Sequence, residues 1–365
     1  MSALLIQIGE LLQVILLGLV AALVCGPLAS WVARRFGLMD IPGRSAHKLH
    51  RSPTPLAGGI LLAICLLILV PLLRLWQKPI SIVLLSGLIV FVFGLWDDAR
   101  GLSASKKFVG QFLASIVLIA SDYSVHFLSN MNIPSLSPSV AVFLDWGVTL
   151  LWFVGITNAF NLIDSMDGLA VGVAGIGFTF FMIMAFVSQQ GFLANFSAMF
   201  VGICIGIYFY NRNPARIFLG DAGALSLGFI LAAVAMIYAP LDVVPQSSSW
   251  FIPIVVLGYP IFDTTLVVIS RLRRRQSIFK ADRTHTYHRL IALGMTTKKA
   301  VFVIHLASLF FGLLGICALY QSPVISNIIF GGIVFIGGLL IVYFENSNSI
   351  SKTSQTGSNN LDENT

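Results

Sequence analysis

The chain has 365 residues, 57% of them hydrophobic and only 10% charged, with a mean hydropathy of +0.91 and a formal net charge of +7. A soluble globular protein carries roughly 25% charged residues, so this composition excludes a water-soluble fold and points to a polytopic membrane protein. The positive balance calls for no nucleic-acid partner, because the basic residues lie where membrane-protein loops need them.

Runs of about 17 to 25 mostly apolar residues can each cross a hydrocarbon core of roughly 30 Å as a helix. Eleven follow one another, near 11–31, 56–75, 80–96, 108–128, 140–162, 169–188, 192–210, 223–240, 250–270, 300–320 and 323–344. The opening "MSALLIQIGELLQ" has no basic segment and carries Glu10, so it is expected to be a membrane helix entering from outside rather than a signal peptide. Alternating the loops from there puts Arg34, Arg35, Arg100, Lys106, Lys107, Arg212, Arg216, the loop "RLRRRQSIFKADRTHTYHRL", Lys298 and Lys299 on one side. Only Arg74 and Lys78 fall on the other, so the rich side is expected to be cytoplasmic.

Cys25, Cys65, Cys204 and Cys317 each lie within an apolar span with no CxxC spacing, and are expected to be buried small hydrophobes. The expectation is an all-α, polytopic helical membrane bundle of about 11 transmembrane helices with its N-terminus outside. Residues 1–344 would form one transmembrane catalytic domain and 345–365 a disordered polar cytoplasmic tail, since that segment has no aromatic residue.

The acids share the basic face. Asp40, Asp97, Asp98, Asp164, Asp167, Asp221 and Asp282 fall at cytoplasmic span ends or loops, and Asp263 in the inner half of the ninth span; the outer face has little besides Asp122 and Asp242. "FGLWDDARGLSASKKFVGQ" ends the third span on Asp97 and Asp98, whose mutual repulsion suits a Mg²⁺ or proton-accepting role or, more plainly, an interfacial turn. "NAFNLIDSMDGLA" places Asn158, Asn161, Asp164 and Asp167 at roughly helical spacing where almost no loop exists to solvate them; polar groups at membrane depth usually line a cavity, the alternative being a self-capped broken helix. "NRNPARIFLGDAGALSLG" opens the eighth span on Gly220-Asp221-Ala222-Gly223, where exposed backbone N–H groups suit phosphate and Asp221 suits Mg²⁺. In "KADRTHTYHRL", Arg283, His285, His288 and Arg289 suit a diphosphate, or equally an anionic lipid surface. Hard oxygen ligands, phosphate-friendly helix starts and a basic clamp on one membrane face describe phosphoryl transfer to or from a lipid.

These pieces, with "DIPGRSAHKLHRSPTPLAGG" and "PIFDTTLVVISRLRRR", occur in the order found in the polyprenyl-phosphate N-acetylhexosamine-1-phosphate transferases of glycosyltransferase family 4. The chain resembles that family from about Asp40 to Leu290, and more distantly the phospho-MurNAc-pentapeptide translocase. The resemblance implies transfer of a sugar 1-phosphate, GlcNAc-1-phosphate first, from a UDP-sugar to undecaprenyl phosphate, releasing UMP. It implies Mg²⁺, with Mn²⁺ as a substitute, and a role in starting an envelope polysaccharide at the bacterial plasma membrane. The partners implied are undecaprenyl phosphate, a UDP-N-acetyl sugar and the bilayer, with a second copy of the chain as a further option. By matching position, Asp97 and Asp98 act on the lipid phosphate, with Asp98 also near the metal. Asp221 holds Mg²⁺, Phe218 stacks on uracil, and Asn211 makes a polar contact to the nucleotide. Asn161, Asp164 and Asp167 line the nucleotide side, Lys107 follows the acidic pair, and His285 and His288 meet the diphosphate; Asn158, His50, Arg283 and Arg289 are further expected substrate contacts.

Two departures bear on the sugar. The family's H-x-H-H loop reads His285-Thr286-Tyr287-His288 here, and "RSAHKLHRSPTP" aligns through either His47 or His50. Another UDP-N-acetyl sugar, 6-deoxy or diacetamido, is therefore the alternative donor. An ion-coupled transporter is the rival from another class, and it requires midplane acids and inverted repeats.

Overall fold

A computed structural model describes residues 2–42, 52–130, 135–238, 251–277 and 284–362, with side chains over 4–42, 52–129, 135–238, 251–277 and 284–346. Among these, helices α1 (Ser2–Arg35), α2 (Gly58–Leu72), α3 (Lys78–Arg100), α4 (Ala104–Ala120), α5 (Phe127–Asn130), α6 (Pro138–Ile163) and α7 (Leu169–Val187) come first. They are followed by α8 (Gly191–Asn211), α9 (Gly220–Ile237), α10 (Ile252–Val256), α11 (Gly258–Arg273), α12 (Thr286–Ala292), α13 (Thr297–Leu319) and α14 (Pro323–Asp362). A two-residue antiparallel pair, β1 (Met39–Asp40) with β2 (Thr54–Pro55), ties the end of α1 to the approach to α2.

Every one of the eleven expected spans meets a helix. Among the described residues eight helices are long and apolar enough to cross a membrane alone, while α2 is shorter. The fourth span differs from expectation: α4 begins at Ala104 and stops at Ala120, because Ser121 and Asp122 form a polar turn in which Asp122 takes a left-handed φ of 67°. The ninth is broken into α10 and α11 at Leu257. α14 continues through 345–362, the polar stretch that composition assigns to a disordered tail, and Glu345 is buried against the bundle, so the packed body reaches past residue 344.

The layering follows apolarity. α9 is apolar all round and has 83% of its membrane window buried, which places it at the centre, as a helix without a polar face must be. It packs on α2, α3, α6 and α7, while α14, with 6% buried, lines the periphery. Cys25, Cys65 and Cys204 are buried as expected; Cys317 is exposed, on the face of α13 away from the core. Asp145, in the N-terminal half of α6, is buried too: its carboxylate accepts from Leu128 N and from Ser129 N and Oγ at 2.7–2.9 Å, so it caps the short α5 and is structural.

Candidate active site

The polar chemistry gathers where α3 and α8 end and α4, α7 and α9 begin. The α3 helix ends on the acidic pair, and Gly101 turns the chain with a left-handed φ of 69°. Leu102 N donates to Asp97 Oδ1 across that turn, and Ser103 sits at the N-cap of α4 without bonding through its side chain. Lys107, in the first turn of α4, therefore reaches back over the pair. Its Nζ lies 2.6 Å from Asp97 Oδ2 and pairs also with Asp221 Oδ2.

Asp98 crosses to α9. Its two carboxylate oxygens accept from Asp221 N (2.8 Å) and Ala222 N (3.0 Å), compensating the helix start. Gly220, with φ 71°, lets it approach: a Cβ there would sit 2.7 Å from Asp98 Oδ2. The glycine-flanked start of α9 is thus not the open phosphate cradle its sequence suggests, because a carboxylate already occupies those N–H groups.

Glycines set the height of Asp221. Phe218 N donates to Pro55 O and Phe218 O accepts from Ala57 N and Gly58 N, so "PTPLAGG" is stitched to "RIFLGD". Gly59 and Gly94 then abut the first turn of α9 backbone to backbone; a Cβ on Gly94 would lie 2.6 Å from Ala222 Cα and 2.9 Å from Asp221 C. Small residues at such contacts are how membrane helices approach closely.

The "NLIDSMDGLA" turn brings a second wall. α6 ends at Ile163 and Asp164 is its C-cap. Asp167 Oδ2 accepts from Asn213 Nδ2 (3.0 Å) and Ala215 N (3.1 Å), pinning the "NRNPAR" loop. Asn211, expected to meet the nucleotide, is buried and bridges Gly168 N to Ile217 O, which makes it a loop tie. Asn158 likewise pairs with Gln111 of α4 and Val154 O, an inter-helix contact rather than a free pocket group. Asn161 is half-buried and has no hydrogen-bond partner among the described residues, and Phe218 is also half-buried. Burial, then the carboxylates of Asp221, Asp98 and Asp167, pushes the Asp164 pKa well above the usual carboxylate range. Five acids, Asp97, Asp98, Asp164, Asp167 and Asp221, thus gather near Lys107, a cluster short of positive charge.

The histidine segment lies at the same end. His305 of α13 approaches Leu169 O at the start of α7 and the Tyr208 ring, which ties α13, the helix that follows α12, to the end of α7 next to the acidic turn. His285 Nδ1 is 2.8 Å from Asp263 Oδ2, and Thr286 N donates to Asp263 Oδ1 at 2.7 Å. His288 Nε2 is 2.8 Å from Tyr287 Oη. Arg289 differs from expectation: it is buried, donating to Thr284 O, Phe344 O, Ser270 Oγ and Glu345 Oε1, so it anchors the segment and offers no open anion contact. Arg283 and His50 lie outside the described residues. The partners that sequence reasoning missed are Asp263 for His285, Glu345 for Arg289 and Gln111 for Asn158; the signal for the first was an acid inside an apolar span.

An integral membrane helical bundle with acids, a lysine and histidines collected at one end is the class this geometry defines. The model of glycosyl transferase family 4 matches residues 80–239. The chain is 32% identical over 300 residues, 82% of each chain, to the "Probable undecaprenyl-phosphate N-acetylglucosaminyl 1-phosphate transferase" of Bacillus subtilis. It is 28% identical over 328 residues, 80% of each, to the decaprenyl-phosphate N-acetylglucosaminephosphotransferase of Mycobacterium tuberculosis. It is 30% identical over 289 residues, 75% of this chain and 87% of the other, to the phospho-N-acetylmuramoyl-pentapeptide-transferase of Staphylococcus haemolyticus. The chain belongs to glycosyl transferase family 4 and is a transferase.

Proposed function

We propose that the protein transfers a sugar 1-phosphate, GlcNAc-1-phosphate foremost, from a UDP-sugar to undecaprenyl phosphate, releasing UMP at the cytoplasmic face of a bacterial plasma membrane. The observation that carries this reading is the junction of α3, α4 and α9, where Lys107 bridges Asp97 and Asp221 while Asp98 holds the start of α9. The names of the similar proteins support the acceptor and the sugar, and the clustering of basic loops supports the orientation. The same clustering of acids at one end speaks against an ion-coupled transporter.

The donor set suits Mg²⁺, with Mn²⁺ as a substitute. Among the described residues no three His, Cys, Asp or Glu side chains form a ready cage, and Mg²⁺ is usually held by one or two carboxylates together with substrate phosphates. Asp221 would hold it, with Asp98 alongside, and the bound ion would supply charge neutralisation at the diphosphate. The chain's own groups do the rest. Lys107, paired with Asp97 and Asp221, would hand its ammonium from the carboxylates to a phosphate oxygen, and Asp97 would orient the lipid phosphate. Phe218, half-buried beside β2, offers a ring to uracil, and His285 and His288 offer donors to the diphosphate. Positioning and charge neutralisation account for most of the rate in phosphoryl transfer.

The reaction is written as one in-line displacement by the lipid phosphate oxygen on the β-phosphorus. Purified protein given a panel of UDP-sugars should release UMP only when undecaprenyl phosphate and Mg²⁺ are both present. UMP release without lipid, or a sugar-phosphoryl group trapped on Asp98, would contradict the single step. Tyr287, standing where the family has an imidazole, keeps 6-deoxy and diacetamido donors in the panel.

A further inference from the structure

Asp263 is fully buried within α11, and His285 is 5% exposed. An ionised carboxylate so placed is costly unless paired and hydrogen-bonded. Among the described residues both carboxylate oxygens hydrogen-bond to one short stretch. Oδ2 lies 2.8 Å from His285 Nδ1, and Oδ1 accepts the backbone N–H of Thr286 at 2.7 Å, at the first residue of α12. The histidine ring is held on its other flank by Tyr287, with ring centroids 5.6 Å apart and planes 19° apart. The carboxylate thus sets the ring's height, plane and tautomer together.

A carboxylate accepts and cannot donate, so Nδ1 must carry a proton and only Nε2 is left for other work. We propose that Asp263 is a positioning residue for the transfer reaction, holding the His285 ring by Nδ1 and reserving Nε2 for a phosphate oxygen of the diphosphate. The role of Nε2 rests on the functional reading above; the tautomer does not. The arrangement parallels the outer partners that fix histidine orientation in metal sites, whose loss typically costs about 10–100-fold in activity.

Asp263→Asn tests this. Its carbonyl can keep the Thr286 N–H, which turns the amide nitrogen toward His285 and forces the proton from Nδ1 to Nε2. The fold-preserving variant should keep its unfolding temperature near that of wild type, leave KM for the UDP-sugar within about threefold and lower kcat by about 10–100-fold. Because Asp263 acts through His285, the double variant D263N/H285A should be no slower than H285A alone. ¹⁵N-histidine NMR of the full chain should show His285 protonated on Nδ1 in wild type and on Nε2 in D263N. Losses that multiply in the double variant, wild-type kcat in D263N, or an unchanged tautomer would each overturn the inference. Absence of turnover in wild type would count against the functional reading alone, and the tautomer measurement would still decide the positioning.

Discussion

Gly94→Ala places one methyl group where the geometry leaves no room. The added Cβ would meet Ala222 Cα at 2.6 Å, Ala222 N at 2.8 Å and Asp221 C at 2.9 Å, all of them backbone. Backbone cannot rotate aside as a side-chain tip can, so the first turn of α9 must retreat by about 1 Å to restore ordinary contact, carrying Asp221 with it. Overpacking of this kind costs about 1–3 kcal/mol, offset by up to about 1 kcal/mol from the better helix propensity of alanine. Stability should therefore fall only modestly, while a misplacement of about 1 Å at a reacting centre costs on the order of 10²-fold in rate. Gly87→Ala, two turns earlier on α3, is the internal control, because its Cβ would meet Ile230 Cγ1 at an ordinary 3.5 Å. UMP release and thermal unfolding in detergent, measured on both variants, check the reasoning. G94A with kcat within twofold of wild type, or G87A as impaired as G94A, would refute it.

Asp221→Asn should lower metal-dependent turnover by at least about 10²-fold while the protein still folds, as removal of one charge-stabilising group does elsewhere; metal titration of activity reads it. Arg289→Ala should destabilise by up to about 3–5 kcal/mol, because it leaves the buried Glu345 carboxylate with only Ser270 and the more distant Arg273 and frees the α12 segment from α14; thermal unfolding reads this, and R289A/E345A should recover part of the loss. Asp164 has a raised folded-state pKa, so its contribution to stability is full below the ordinary carboxylate range and is lost as pH rises through the elevated value. In EDTA, Asp164→Asn should flatten that part of the unfolding profile and exceed wild-type stability at neutral pH, which a pH series of melting curves will show.

Much of this was legible without coordinates, and the reason is the size of the signals. A membrane span is some twenty residues of one character, so each apolar run picked out by hydropathy meets a helix, eight of them, among the described residues, long and apolar enough to cross a membrane. The grouping of Asp97, Asp98, Lys107 and Asp221 followed from loop alternation, which needs only the parity of spans between them. What failed were statements about the partner of one side chain. Arg289 and Asn211 look like ligand contacts in a polar motif, yet each is consumed by groups 56 and 6 residues away. The start of α9 looked open to phosphate because nothing in "FLGDAG" reveals that Asp98, 123 residues earlier, lies across it. Asp145 was missed because an acid in an apolar run reads as noise until α5 is seen resting on it. Periodicity reports which face a residue occupies, and only packing reports whom it meets.

The most direct test of the central claim is mass spectrometry of the lipid product formed by purified wild type and D221N, side by side, with undecaprenyl phosphate, UDP-GlcNAc and Mg²⁺. Wild type should yield undecaprenyl diphosphate bearing one GlcNAc in step with UMP release, and D221N almost none. A folded wild type that makes no lipid-linked sugar from any UDP-sugar, or a D221N that makes it at the wild-type rate, would contradict the account.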